Sequence, residues 1–251
     1  YVELAQEALT NRNNQDGLSP GDDGFRVLNP QLLASSPNNV LNINTDWQTP
    51  TINKNAPINN YSVGVSGGND FANYFFSAGY FSQKSITKVG GLERYSMRMN
   101  SDYKIGKRLK VGETLSLSYE AVRKGINGEG DGYLYSDDIA MPPFFKIYDD
   151  QNTIPDNRYG FNGNLNVAGL TIGNQYGINQ IVDRTYHNYT VLGGLFAELE
   201  IIDGLKFRSA ASVDFGYGRN MTWQPGYTAE ELGLDREVNN YGDARSESYT
   251  Q

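Results

Sequence analysis

Two neighbouring stretches of this chain alternate apolar and polar residues with a period of two, which commits each to a strand with one dry and one wet face. In residues 95–103 the odd positions are Tyr95, Met97, Met99, Ser101 and Tyr103, and the even ones Ser96, Arg98, Asn100 and Asp102. In residues 109–119 the odd positions are Leu109, Val111, Glu113, Leu115, Leu117 and Tyr119, against Lys110, Gly112, Thr114, Ser116 and Ser118. A one-residue slip would oppose the apolar set of one strand to the polar set of the other, so the pairing sum must be even. A three-residue turn, Gly106-Lys107-Arg108, sets that sum. It pairs Tyr95 with Tyr119, Met97 with Leu117, Met99 with Leu115, and Ser101 with Glu113.

A second hairpin repeats the design. Tyr189, Val191, Leu195, Ala197, Leu199 and Ile201 share one face, and Leu205, Phe207, Ala211, Val213, Phe215 and Tyr217 answer them across Ile202-Asp203-Gly204, pairing Tyr189 with Tyr217. Glycine closes that turn, where a three-residue hairpin wants a left-handed residue. A third hairpin is expected from Asn60–Ser66 and Phe71–Ser82 around residues 67–70, its register left open because both faces of the second strand carry aromatics.

The six strands are joined by tight turns near 67–70, 106–108 and 202–204 and by long connections at 83–92 and 121–186, with 1–57 before and 218 onward after. All short links therefore fall at one end of the sheet. A sandwich places Greek-key loops at both ends, whereas an up-and-down membrane barrel has one plain rim and one elaborate rim. Eight residues at ~3.3 Å and a tilt of about 40° give roughly 20 Å of height, close to the ~25 Å apolar band between aromatic girdles. The expected fold is all-β, part of a large up-and-down antiparallel transmembrane barrel with long extracellular loops. Tyr95, Met97, Met99, Leu115, Leu117, Tyr119, Val191, Leu195, Val213 and Phe215 would face lipid. Arg98, Asp102, Lys110, Glu120, Glu198, Glu200, Lys206, Arg208 and Asp214 would face a wet lumen; a soluble sheet with the same alternation is the competing reading.

Composition narrows the function. The formal charge of −8 argues against nucleic acid as a partner, since that needs a cationic surface. The chain has no cysteine, which removes disulfides and thiolate chemistry. Its longest apolar run counting glycine, Val191–Ala197, is seven residues, too short for a spanning helix. No secretory signal is expected at Tyr1, where a polar segment begins. His187 is the sole imidazole and lacks a nucleophile elbow or a paired histidine, so a solvated residue at the rim is expected and not a catalytic base. Asp149-Asp150-Gln151-Asn152 and Gly128-Glu129-Gly130-Asp131-Gly132 invite a calcium reading. Counted from Asp150, however, the sixth residue is Pro155 and the twelfth Phe161, which breaks the EF-hand pattern. No catalytic, cofactor or metal residue is assigned.

The long loop carries Tyr133, Tyr135, Asp137, Asp138, Phe144, Phe145 and Tyr148, aromatic faces and carboxylates suited to cargo or to a protein partner. Packing of most of these rings within the loop is the plainer expectation. Lys107, Arg108 and Lys110 cluster at the tight-turn end, where they suit lipid headgroups or simple solubility.

Asn44-Thr45-Asp46-Trp47-Gln48, Asn60-Tyr61-Ser62-Val63-Gly64-Val65-Ser66-Gly67-Gly68, Tyr74-Phe75-Phe76-Ser77-Ala78-Gly79-Tyr80, Arg94-Tyr95, Leu109-Lys110-Val111-Gly112, Met141-Pro142-Pro143-Phe144 and Gly204-Leu205-Lys206-Phe207 together resemble the barrel of the SusC/RagA group of TonB-dependent outer-membrane transporters of Bacteroidetes. That resemblance implies a plugged barrel in the bacterial outer membrane, energised through TonB. It also implies import of oligosaccharides or peptides delivered by a SusD-like surface lipoprotein. On this reading residues 1–57 are an extracellular loop region with a short helix, and 58–120 four barrel strands in two hairpins. Residues 121–186 are a long extracellular loop, 187–217 a barrel hairpin, and 218–251 the start of the next extracellular loop. Six strands do not close a wet barrel, so the plug and remaining strands are expected outside these residues. Alternatives are a soluble secreted glycan-binding sheet and a passive porin.

Overall fold

The computed structural model describes residues 2–27, 43–124, 141–150, 157–163, 173–227 and 241–250. They belong to two compact units: Tyr1–Thr51, Gly132–Ile181 and Pro225–Asn240 form a loop unit, and Ile52–Asp131, Val182–Gln224 and Tyr241–Gln251 form a sheet unit.

The sheet unit is a single antiparallel meander, β1 (Ile58–Gly68), β2 (Ala72–Lys84), β3 (Gly91–Ile105), β4 (Leu109–Arg123), β5 (Asp183–Ile202), β6 (Leu205–Gln224) and β7 (Tyr241–Thr250), each strand pairing only with its sequence neighbours. The described sheet is open. The registers set by parity hold: Tyr95 faces Tyr119, Ser101 faces Glu113, and Tyr189 faces Tyr217. Gly106 and Gly204 sit at φ +67° and +83°, the left-handed conformation that lets each tight turn reverse the chain without a Cβ clash; the second turn is Asp203-Gly204 alone and not the three residues expected, because a bulge between Glu200 and Ile202 shifts the register so that Ile202 pairs with Leu205.

Three boundaries differ from the sequence expectation. The first hairpin turns at residues 69–71 and not 67–70, because the Asn69 carboxamide oxygen accepts the backbone N–H groups of Phe71 and Ala72 at 2.8 and 2.9 Å. The segment 218–251 is not only loop: β6 runs on to Gln224, and β7 pairs with it from Phe215↔Thr250 to Gln224↔Tyr241. The residues of β7, YGDARSESYT, have no apolar set to alternate with the polar one, so backbone pairing makes the strand where side-chain pattern gives no signal. Likewise β4 and β5 reach Arg123 and Asp183, inside the expected 121–186 loop. At ~3.3 Å per residue and a tilt near 40°, the 20 residues of β5 rise about 50 Å, well past a ~25 Å apolar band.

The loop unit holds almost all of the buried apolar side chains among the described residues: Trp47, Met141, Phe144, Phe145, Ile147, Phe161, Ile178 and Tyr227, with Val182 the one exception, in the sheet unit. Among the described residues its helices are α1 (Val2–Gln15), α2 (Gln48–Thr51) and α3 (Gln175–Ile181), so the described part of the region 1–57 carries two helices where one was expected. Asp46 caps α2, accepting from the N–H groups of Gln48 and Thr49 at 3.0 and 2.9 Å. Asn13 at the end of α1 clamps the following chain by a reciprocal pair of bonds to the Arg26 backbone, 2.7 and 2.9 Å.

A wall with a tyrosine row and a cation-aromatic face

Register fixes which side chains share a face of the sheet. Six tyrosines, Tyr61, Tyr80, Tyr95, Tyr119, Tyr189 and Tyr217, are consecutive cross-strand partners on β1 through β6. Their ring centroids are spaced 6.4, 5.0, 6.2, 4.9 and 5.9 Å, the range in which aromatic pairs attract. His187 joins the row by stacking on Tyr119 at 6.0 Å, and its Nδ1 shares a 2.8 Å hydrogen bond with the Tyr119 hydroxyl.

Toward the tight turns, the same face carries Met97, Met99, Leu115, Leu117, Val191, Leu195, Val213 and Phe215. Protein does not cover it: Val63, Leu195 and Phe207 are 69, 63 and 61% exposed. The one carboxylate here, Glu113, accepts a 3.0 Å hydrogen bond from Ser101 Oγ, so the charge and the hydroxyl that parity placed opposite each other do meet.

The opposite face is polar, and its rings Phe81, Tyr186 and Phe196 carry cations. Phe196 has the Arg208 guanidinium at 4.1 Å and the Lys110 ammonium at 6.0 Å from its centroid. Asp102 holds Lys110 at 3.2 Å, and Glu198 lies 3.8 and 3.4 Å from Arg208 and Lys206. Phe196 fits only because its cross-strand partner is Gly112, where a Cβ would overlap the ring. Nearer the long connections, Arg94 lies 5.2 Å from Phe81, while Lys124 and Arg184 lie 5.0 and 5.4 Å from Tyr186. Period-two reading assigned the charges to this face but missed the rings; the signal that finds Phe196 is the glycine directly across the strand from it.

In the loop unit, Tyr133, Tyr135, Asp137 and Asp138 lie outside the described residues. Phe144 and Phe145 are buried, edge to face at 4.8 Å, so these two pack the unit and present no surface to cargo. Tyr148 is about half exposed and forms a three-ring cluster with Phe161 and Tyr176, at 5.6 and 6.2 Å. The Tyr148 and Tyr176 hydroxyls share a hydrogen bond at 3.4 Å, and that bond, with burial behind it, pushes the Tyr176 phenol up to about 12. Asn174, fully buried, was missed by sequence reasoning. Its amide donates to the carbonyls of Ile147 and Asn162 at 2.8 and 3.0 Å while its oxygen caps α3 through the N–H of Gly177 at 2.9 Å. Asp16 is held below the usual carboxylate range, first by its 2.7 Å bond from Arg26 and then by Arg12 at 3.2 Å. In the stretch read for calcium, Asp150 lies 3.4 Å from Lys146, and among the described residues no three acidic, histidine or cysteine side chains gather.

No family model matches the sequence. The chain is 30% identical over 186 residues to TonB-dependent receptor P3 of Formosa agariphila, a match covering 71% of this chain and 17% of the relative. It is 28% identical over 173 residues to TonB-dependent receptor P26 of the same organism, covering 68% and 16%. It thus spans about a sixth of the curated relatives it matches. Among solved structures, the RagAB peptide transporter superposes with a TM-score of 0.59 at 22% identity over 98% of this chain and 25% of that one. The RagAB peptide importer in its closed-closed state gives 0.58 at 21%, with the same coverage. An open meander with an uncovered apolar face is what a piece of such a barrel would be: in sequence the chain is a relative of TonB-dependent receptors, and in fold it matches a segment of the up-and-down barrel of RagAB.

Proposed function

We propose that this segment is part of the wall and outer rim of an importer in the bacterial outer membrane, with the tyrosine face against lipid and the cation-aromatic face lining the lumen. The carrying observation is the uncovered apolar face bounded by a transverse row of six tyrosines, the amphipathic rings that membrane barrels place at the water interface. Cargo would be an oligosaccharide or a peptide handed over by a SusD-like lipoprotein. Energy would come from TonB through a plug outside these residues. Of the loop aromatics proposed to meet cargo or partner, Tyr148 is the accessible one among the described residues.

These residues contain no cysteine, so once any cysteines elsewhere in the whole protein are replaced, a single-cysteine probe reports on one position. In the whole protein in vesicles, a polarity-sensitive dye at Leu115→Cys should be quenched by spin-labelled acyl chains, and one at Ser116→Cys by aqueous iodide. The reversed pattern, or iodide quenching at both, refutes the orientation. Import that survives deletion of TonB would leave a passive porin.

A further inference from the structure

On the polar face, toward the long connections, two cations stand side by side. We infer that Lys124 and Arg184 form a subsite for a carboxylate of the cargo, one that selects acidic peptides. The two residues are cross-strand neighbours, since the Lys124 backbone N–H donates to the Arg184 carbonyl at 3.1 Å. Their side chains converge on one ring: the Lys124 ammonium and the Arg184 guanidinium lie 5.0 and 5.4 Å from the centroid of Tyr186. Tyr186 is three residues from Tyr189 along β5, and three residues of tilted strand carry it about 8 Å past the tyrosine row. On the reading that this face lines the lumen, on which the subsite rests, that is the mouth where cargo enters.

Like charges directly opposite each other on neighbouring strands repel, and a ring attracts a cation without neutralising it. Among the described residues neither side chain has an ion pair or a hydrogen bond. Arg184 is half-buried, and its Nε is shut off from water with no acceptor, the condition in which a donor is costly to leave unmade. The carboxylates around the pair are engaged elsewhere. Asp183 is on the other face, 3.3 Å from Arg123. Glu120, four residues before Lys124 on β4, stands opposite Arg94 and takes the Asn188 amide at 3.5 Å. On β7, Asp243 and Arg245 hold the register positions beside Thr222 and Asn220, one charge of each sign.

Asn220 pairs with Tyr186 across β5 and β6, and its Oδ1 is likewise buried without a donor. It is the diagonal neighbour of Arg184 on the same face, about 7–8 Å away. A peptide answers both residues. A side-chain carboxylate accepts from the guanidinium and the ammonium in charge-assisted bonds, which are about twice as strong as neutral ones. A main-chain amide of the same peptide meets Asn220, which donates or accepts according to how its carboxamide is turned. A sugar would need an open ring face to stack on, and the Tyr186 ring already carries two cations.

The whole protein, purified in detergent, is titrated calorimetrically with a hexapeptide alternating alanine and glutamate, with its glutamine counterpart, and with trigalacturonate. Wild type should bind the glutamate peptide at least tenfold tighter than the glutamine peptide. Lys124→Gln/Arg184→Gln should lose that preference while still binding the glutamine peptide, which reports that the variant is folded. Lys124→Glu, at an exposed position just past β4, should by itself turn the preference toward the glutamine peptide. Lys124→Arg, and Lys107→Gln at the opposite end of the sheet, should keep it. Equal or undetectable binding of the two peptides by wild type, an unchanged preference in Lys124→Glu or in the double variant, its loss in Lys124→Arg, or trigalacturonate binding tighter than the glutamate peptide would each overturn the subsite. If iodide quenches the Ser116→Cys dye while the two peptides bind alike, the subsite fails and the lumen reading stands.

Discussion

Leu115→Arg tests the wall where its cost is largest. Leu115 lies four residues from Tyr119 along β4, about 10 Å below the tyrosine row at ~3.3 Å per residue and a tilt near 40°. That is close to the midplane of a ~25 Å band, where an arginine on the lipid face costs ~2–4 kcal/mol. Its partners there are Met99 and Gly193, neither of which offers a counter-charge. Ser116→Arg, one residue on, faces Arg98 and Leu192 on the polar side, where like charges across strands cost only ~0.2–1 kcal/mol. The expected gap of roughly 2–3 kcal/mol is a factor of about 30 to 150 in the folding equilibrium, since 1.4 kcal/mol is tenfold. Reversible guanidinium unfolding of the whole protein in vesicles, followed by tryptophan emission, reads it directly. Equal midpoints for the two variants, or a less stable Ser116→Arg, would mean that the apolar face does not look into hydrocarbon.

Ser101→Ala strands the Glu113 carboxylate on the apolar face and should cost ~1–3 kcal/mol, with Glu113→Gln in the same background recovering most of it; additive losses in the double variant would show that the pair is not coupled. Asn174→Ala removes both the cap of α3 and two carbonyl bonds, so hydrogen exchange in residues 175–181 should accelerate tenfold or more while β3 and β4 stay protected. Unchanged exchange of residues 175–181 in that variant would put the buried amide outside the forces that order the loop unit. Tyr176 sets an alkaline limit: its raised pKa means the folded state holds the phenolic proton more tightly than the unfolded one. That contribution is intact below 10.0 and is lost as pH climbs through about 12. Tyr148→Phe should bring the Tyr176 Cζ resonance titration down toward 10.0; an unmoved midpoint would assign the shift to burial alone.

Legibility followed contrast between adjacent residues. Where Leu115 stands beside Ser116 and Leu117 beside Ser118, parity alone fixed face and register, down to the Ser101–Glu113 contact. Where neighbours are alike, as in the Ser-Glu-Ser of β7 or the Phe75-Phe76 of β2, one face looks the same as the other and only backbone pairing decides. The tyrosine row needed both kinds of information, because it crosses from odd positions on β1 to even on β2 and back to odd on β3 as the turns change parity. Contacts between strands far apart in sequence were beyond reach: Tyr119 meets His187 across 68 residues, and nothing local predicts it. In the loop unit Phe144 and Phe145 went to the core for a reason that composition does give, since a long segment orders only by burying rings of its own.

The division of labour between the two units follows from where their apolar atoms end up. The loop unit buries Trp47, Phe144, Phe145 and Phe161 and satisfies its irregular backbone with the amides of Asn157 and Asn174, so it meets the ordinary requirements of a packed protein in water. The sheet does not. Val63, Val65, Leu195, Leu199, Phe207 and Val213 are 42–69% exposed on one face. At 1.5–3 kcal/mol for full burial of each such side chain, leaving about half of that surface in water forgoes roughly 5–9 kcal/mol. A whole domain is stable by about 5–15 kcal/mol. A sheet that forgoes that much as a free body and still pairs its strands calls for a medium that recovers the loss, which is what the proposed placement of this face against hydrocarbon below the tyrosine row would supply.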